Sequence, residues 1–240
     1  MKGKWERLVY IDLFSGSGYA SIRGIDRIVQ TSPLIALNTP NPFTDFFFSE
    51  FESPKMESLK ARVNDCYPNR DITYYEGDTN ENVLKICEDL EHIHSKYKTL
   101  CFCFVDPFSL NLHFDTIKKL SVFNIDFLIL LAIHMDYNRN LSLYLSEENE
   151  KVSHFLGNTN WREDLKKSPD KQNIVSFLAT QYDKKMLNLG YLTPVDKQQI
   201  KTGLTNIPLY HLAFYSRHKL GNDFFLKVRH HGESMQLNLF

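Results

Sequence analysis

The chain has 240 residues, 42% of them apolar and 24% charged, the balance of a soluble globular protein with its own core. Its 28 Lys and Arg against 29 Asp and Glu leave a formal charge of −1, which provides no general electrostatic pull on nucleic acid. No apolar stretch is long enough to span a membrane, the first residues lack the apolar core of a secretion signal, and the four cysteines form no CxxC pair, so the expectation is a cytoplasmic protein with reduced thiols and no membrane association.

The apolar run from Leu8 to Leu13 breaks off at Phe14-Ser15-Gly16-Ser17-Gly18 and reads as a buried parallel strand opening into a tight turn. Glycines at 16 and 18 let the backbone bend sharply and approach a bound group that a Cβ would repel. Tyr19 to Thr31 reads as a polar loop, longer than a usual strand-to-helix connection. Ser32-Pro33 predicts a helix start, Leu34, Ile35 and Leu37 follow at helical spacing, and Thr39-Pro40-Asn41-Pro42 stops the helix. Phe46 to Glu50 reads as the second strand. Ser53-Pro54 then opens a helix with Met56, Leu59, Lys60 and Val63 in its stripe.

Asp71 to Glu76 reads as a third strand, followed by Gly77-Asp78-Thr79. A helix from about Asn82 to Lys96 carries Val83, Ile86, Cys87, Leu90 and Ile93 on one face. Thr99 to Val105 is a fully buried fourth strand, in which Cys101 and Cys103 alternate with Phe102 and Phe104, and Asp106-Pro107-Phe108 closes it. Phe114, Ile117, Leu120 and Val122 mark a fourth helix. Asp126 to Ile133 reads as the fifth strand, with His134, Asp136 and Arg139 just beyond.

Residues 140–192 change character. They are charged and helical, with Trp161 among polar neighbours and a long helix from Gln172 to Asn188, and read as a helical insertion or lid within a single domain spanning 1–240. Tyr210 to Ser216 and Phe224 to Val228 read as two strands around Lys219-Leu220-Gly221-Asn222, a terminal hairpin, with 232–240 as a flexible tail. The alternation predicts an α/β fold: a doubly wound, mostly parallel, Rossmann-like sheet with a terminal antiparallel hairpin.

The strands that end in acids define a candidate site. Asp12 sits beneath the glycine turn, where a carboxylate can orient the loop or meet a cationic amine. Glu50 holds the position from which a carboxylate accepts both ribose hydroxyls, and Asp78 can accept from an exocyclic adenine amine. With Gly16 and Gly18 these residues describe one nucleoside pocket. No GxxxxGKS/T occurs, which excludes an NTPase P-loop, and Ser21 stands where a dinucleotide fingerprint places its third glycine.

The succession DLFSGSG, FFFSE, YEGD and FVDPF resembles the motifs of class I S-adenosylmethionine-dependent methyltransferases. The resemblance implies that the turn from Phe14 through Gly16 and Gly18 faces the methionine part of S-adenosylmethionine, Glu50 the ribose and Asp78 the adenine amine. More narrowly, Ser32-Pro33-Leu34-Ile35-Ala36-Leu37, the FVDPF segment and Asp126-Phe127-Leu128-Ile129 with Arg139 resemble the three-Cys-motif partner family. That bacterial and phage family has a methyltransferase-like fold and is named for its association with a cysteine-motif, radical-enzyme-like protein, which implies such a companion as partner. The resemblance covers about Tyr10 to Arg139 and the terminal hairpin.

Amino-methyltransferases acting on adenine or cytosine place an acid or amide, two prolines and an aromatic residue at the strand end occupied here by Asp106-Pro107-Phe108. In that pattern the oxygen accepts the amine's hydrogens and the ring stacks on the base. One proline is missing here, so Phe108 stands one place early. His134, Asp136 and Arg139 could line the acceptor side. The resemblance thus implies an enzyme that methylates an amine of a nucleic-acid base; the alternative is a catalytically silent partner subunit of a companion enzyme or phage-defence complex. The last residues, Gln236-Leu237-Asn238-Leu239-Phe240, resemble the peptide with which bacterial replication proteins dock on the sliding clamp, with Gln236, Leu237, Leu239 and Phe240 as the docking residues; the alternative is that they pack on their own domain.

Overall fold

A computed structural model describes residues 4–22, 27–133, 144–146, 148–170, 173–194, 197–201 and 208–236. The architecture is α/β, with a mostly parallel sheet and a C-terminal antiparallel pair of strands. The chain divides into two compact units, Met1–Ile125 and Asp126–Phe240.

In the first unit, β1 (Arg7–Asp12), β4 (Asp45–Glu50), β5 (Asp71–Glu76) and β6 (Thr99–Val105) are the expected strands, in the spatial order β5-β4-β1-β6 and all parallel. Register pairs Tyr10 with Phe46 and Phe102, and Ile11 with Phe47 and Cys103. Because side chains alternate along a strand, this sorts the residues onto two faces. One is aromatic, with Tyr10, Phe46, Phe48, Tyr74, Phe102 and Phe104, and packs against Leu34 and Leu37 of α1 (Ser32–Leu37) and Leu59 and Val63 of α2 (Ser53–Cys66). The other carries Val9, Ile11, Phe47, Tyr75, Cys101 and Cys103, and faces α3 (Thr79–His94), where the Tyr75 hydroxyl donates to Asp89 at 2.6 Å. α3 buries Val83, Ile86 and Leu90 and packs on α4 (Phe114–Leu120). Helices on both faces make this sheet doubly wound, and they explain strands that are apolar on both sides.

The segment read as one polar loop contains a small antiparallel pair, β2 (Tyr19–Ser21) and β3 (Ile28–Gln30), with Ala20 opposite Val29. Their side chains are largely exposed, so no buried face gives the segment a strand signature in sequence. α1 starts at Ser32 as expected, with Thr31 at the N-cap position making no side-chain capping bond, and the Ser32 hydroxyl turns to Asp12.

In the second unit, β7 (Ile125–Leu131) pairs antiparallel with β9 (Pro208–Tyr215), and β9 with β8 (Gln198–Lys201). The expected helical segment contains α5 (Lys151–Leu156), α6 (Trp161–Lys167) and α7 (Ile174–Asn188). Trp161 and Tyr182 are fully buried, and Phe155 stacks on Tyr182 at 4.9 Å. Asp183 on α7 takes a hydrogen bond from Tyr215 on β9 at 2.8 Å and an ion pair from Lys197, fixing helix to sheet.

The antiparallel pair at the end of the chain is therefore β8 and β9, and Phe224 to Val228 is not a strand. It lies within α8 (Lys219–Gln236). Gly221 is outside the left-handed region that a turn glycine occupies; a Cβ there would lie 2.4 Å from Ser216 Oγ, so glycine serves close packing of the helix start. Phe225 completes the contact by stacking on Phe214 at 4.9 Å and 13°. Because α8 continues to Gln236, residues 232–236 are helical rather than part of a flexible tail; residues 237–240 lie outside the described residues. Among the described residues, no helix is long and apolar enough to cross a membrane.

Candidate functional site

Four parallel strands present their carboxyl ends along one edge, and their order sets the order of the acids. Asp78 follows β5, Glu50 ends β4, the glycine turn follows β1, and Asp106 follows β6. At ~4.8 Å between neighbouring strands, this row spans ~14 Å.

The turn is pinned from several directions. Gly16 and Gly18 adopt φ of +64° and +88°, conformations that a side chain resists. The Gly16 N–H donates to Glu50 Oε2 at 2.8 Å, while Glu50 Oε1 accepts from the Glu52 N–H at 2.9 Å. The Ser15 N–H and hydroxyl both donate to the Ser49 carbonyl, at 2.9 and 3.1 Å, and the Thr31 N–H donates to the Gly18 carbonyl at 2.8 Å. From α2, Arg62 donates to the Ser17 carbonyl and lies 5.2 Å over the Tyr19 ring. The two glycines answer different needs. A Cβ at Gly18 would press within 3.1 Å of Leu34 and Leu59, whereas one at Gly16 would meet nothing within 4 Å.

Asp12 is fully buried beneath this turn. It accepts from the Tyr10 hydroxyl and the Phe14 N–H, both at 3.2 Å, and from the Ser32 hydroxyl. Burial pushes its carboxyl up to about 7; the three donors oppose that rise and Asp106 adds to it. Of the two roles open to Asp12 in the sequence, these contacts describe the loop organiser.

Asp78 caps α3. Its Oδ1 accepts from the Asn80 N–H at 2.8 Å and from Asn80 Nδ2 at 2.9 Å. The Gly77 N–H donates to the Glu50 carbonyl at 3.0 Å, linking the second and third turns of the row. Asn80 then reaches the loop after β6: Nδ2 donates to the Asn111 carbonyl at 2.9 Å, and Oδ1 accepts from the His113 N–H at 2.9 Å and the Thr116 hydroxyl at 2.8 Å. Sequence reading missed Asn80, because its partners lie more than thirty residues away.

A cleft of about 710 Å³ opens beside the turn. Phe14, Gly16, Ser17, Lys55 and Asp106 are among its lining residues, with the rings of Tyr10, Phe43, Phe102 and Phe104. Asp106 is solvent-accessible but flanked by these walls, and partial desolvation raises its carboxyl above the usual range. Glu50, Gly18 and Asp78 do not line the cleft; they stand beside it along the row. Pro107 is buried, and Phe108 is 74% exposed and not part of the lining. Phe51, directly after Glu50, is 72% exposed and was missed; an aromatic residue straight after an acidic strand end was the available signal.

His134, Asp136 and Arg139 lie outside the described residues, as do Leu237, Leu239 and Phe240, and Gln236 ends α8. Among the described residues, no group of three or more His, Cys, Asp or Glu is placed to hold a metal ion. Among the described residues, Thr31 Oγ1 at the cleft wall is buried without a hydrogen-bond partner. Comparison of the chain with protein-family models and with curated proteins gives no match.

Proposed function

We propose that the protein binds S-adenosylmethionine along the carboxyl edge of the first unit's sheet and methylates an amine, the base amine of a nucleic acid being the acceptor that the Asp106-Pro107-Phe108 pattern resembles. The observation that carries this reading is the spatial row Asp78, Glu50, glycine turn and Asp106, each at the carboxyl end of a parallel strand. The open space at the Gly16 Cβ position, the unpartnered Thr31 hydroxyl and a cleft of small-molecule size support it.

In this reading Asp78 accepts from the adenine amine. Glu50, with lone pairs beyond the two that its backbone donors use, accepts from the ribose. The turn from Phe14 to Gly18 faces the amino-acid end, and Asp106 holds the acceptor amine by its hydrogens. The bound group supplies an activated methyl; the chain's contribution is alignment, which can supply ~7–11 kcal/mol of a barrier.

Calorimetric titration with S-adenosylhomocysteine tests the site. Wild type should bind, and Glu50→Ala should bind at least ~10-fold more weakly, since charge-assisted hydrogen bonds contribute ~1.5–3 kcal/mol each. Asp106→Ala should keep the affinity and lose transfer of labelled methyl. No binding by the folded wild type overturns the reading. The position of Phe108 outside the cleft lining favours a second reading, the silent partner subunit. It is distinguished by binding of S-adenosylhomocysteine with no transfer to DNA, RNA or a three-Cys-motif companion protein.

A further inference from the structure

The cleft borders a carboxylate that has no counter-charge. Asp12 is completely buried, and the groups that donate to it belong to residues that also line the cleft: the Tyr10 hydroxyl and the Phe14 N–H, both at 3.2 Å, and the Ser32 hydroxyl. A ligand in the cleft therefore rests on the residues that surround Asp12. A second carboxylate, Asp106, lines the same cleft, and its charge opposes ionisation of Asp12.

The titratable and polar groups that face Asp12 come from three elements. Tyr10 lies on its own strand, Ser32 opens α1, and Cys103 lies on β6, with Asp106 just beyond that strand's end. None of these groups carries a positive charge. Among the described residues, no lysine, arginine or histidine forms an ion pair with Asp12 or Asp106. Lys55 does line the cleft, but its ammonium is 2.5 Å from Glu52 and also feels the charge of Glu50. A buried carboxylate without a cation beside it is costly in its charged form, which favours the protonated one. Burial and the three donors balance near neutrality, at about 7, so the proton is held but exchangeable.

We infer that Asp12 makes the cleft selective for a ligand with a fixed positive charge: such a ligand supplies the missing counter-ion, and Asp12 releases its proton to solvent. The inference rests on the donor reading above and deepens it, because S-adenosylmethionine has a sulfonium that S-adenosylhomocysteine lacks. Charge then balances through the cycle. A proton leaves Asp12 as the cationic donor enters. In the transfer the sulfur keeps the electron pair of its bond to the methyl group, the amine's lone pair forms the new N–C bond, and the amine gives a proton to solvent. The product thioether is neutral, so Asp12 takes a proton back and the cleft no longer prefers what it holds. A cation within ~4–6 Å lowers a carboxyl's pKa by ~1–3, and each whole step is ~10-fold in the ligand's affinity. Asp12 is thus a specificity-determining residue that acts through the cleft wall, without touching the ligand.

The test is calorimetric titration of the full chain with S-adenosylmethionine and with S-adenosylhomocysteine, in buffers of different ionisation enthalpy so that released protons are counted. A ligand that draws a proton off Asp12 binds more tightly as pH rises toward the folded carboxyl's value. Affinity for S-adenosylmethionine should therefore rise at least ~10-fold between about pH 5.5 and pH 7.5, with proton release, and affinity for S-adenosylhomocysteine should rise less. Asp12→Asn should abolish the rise. If that variant does not fold, Ser32→Ala serves instead: it keeps the carboxylate and removes one donor, so the rise should move to higher pH. Equal rises for the two ligands, or an unchanged rise in folded Asp12→Asn or in Ser32→Ala, overturn the inference. So does a rise that persists in Asp12→Asn and disappears in Asp106→Asn, which would assign the selectivity to Asp106. Failure of both ligands to bind at any pH would remove the donor site and the selectivity with it. Binding of both with flat pH profiles would remove the selectivity and leave the donor site standing.

Discussion

A carboxylate buried at the end of the first strand meets two opposing demands, and Asp12 shows which prevails. Three donors favour its charged form, yet burial raises its carboxyl to about 7. The unfolded carboxyl titrates near ~3.9, so between that value and about 7 the folded chain holds a proton that the unfolded chain has released. Stability from this group is therefore complete below the unfolded value and is lost as pH rises through the folded one. The difference is of the order of 4 kcal/mol for a shift of this size. Asp12→Asn should flatten that dependence: relative to the variant, the wild type's urea midpoint should fall between about pH 4 and pH 7. Parallel midpoints for the two proteins would show that Asp12 does not titrate in this window. The glycines provide a second contrast at this scale. Gly16→Ala meets open space and should cost only ~1 kcal/mol of backbone strain, whereas Gly18→Ala must also displace the buried Leu34 and Leu59 and should cost ~1–3 kcal/mol more. Equal denaturation midpoints for the two variants, or a lower one for Gly16→Ala, would contradict that ranking.

Among the elements, the loop between β6 and α4 depends on one side chain of α3. Asn80 contacts Asp78, the Asn111 carbonyl, the His113 N–H and the Thr116 hydroxyl. Asn80→Ala should destabilise the chain by ~2–4 kcal/mol and speed hydrogen exchange across residues 106–113, with Asn80→Asp intermediate because it keeps the acceptor and loses the donor. Unchanged exchange in that loop would show that other contacts hold it. Asn80 also marks a limit of sequence reading. The strands β1, β4, β5, β6 and β7 were legible because each is an apolar run, or ends in an acid, or both. The acids of the site were legible for the same reason. Asn80, Arg62 and Phe51 were not, since what they touch or expose is set by turns that come together only on folding. The helix α8 was misread because Phe224-Phe225-Leu226-Lys227-Val228 has β-prone residues and follows a Gly-Asn pair that resembles a turn. Packing of Gly221 on Ser216 and Phe225 on Phe214 overrides that local preference.

For the whole molecule, a net charge of −1 makes recruitment the question whenever a nucleic acid is the target. The terminal QLNLF segment is the proposed answer, and the described helix brings the chain to its first residue, Gln236. Leu239→Ala with Phe240→Ala should abolish micromolar binding to a bacterial sliding clamp and leave S-adenosylhomocysteine affinity unchanged. Equal clamp binding by both proteins would remove the segment as a docking peptide. The cysteines allow another kind of observation. Cys66 is exposed, Cys87 is half-buried with its thiol raised to about 11, and Cys101 and Cys103 are buried, with burial pushing both thiols up. A thiol dye should therefore mark Cys66 first and reach Cys101 and Cys103 only when the helical cover on their face of the sheet opens. That strand leads directly into Asp106, so the slow labelling phase is a clock built into the native sequence. It times how often the sheet is uncovered on the side away from the cleft, and a ligand that stabilises the closed sheet from the cleft side should slow it.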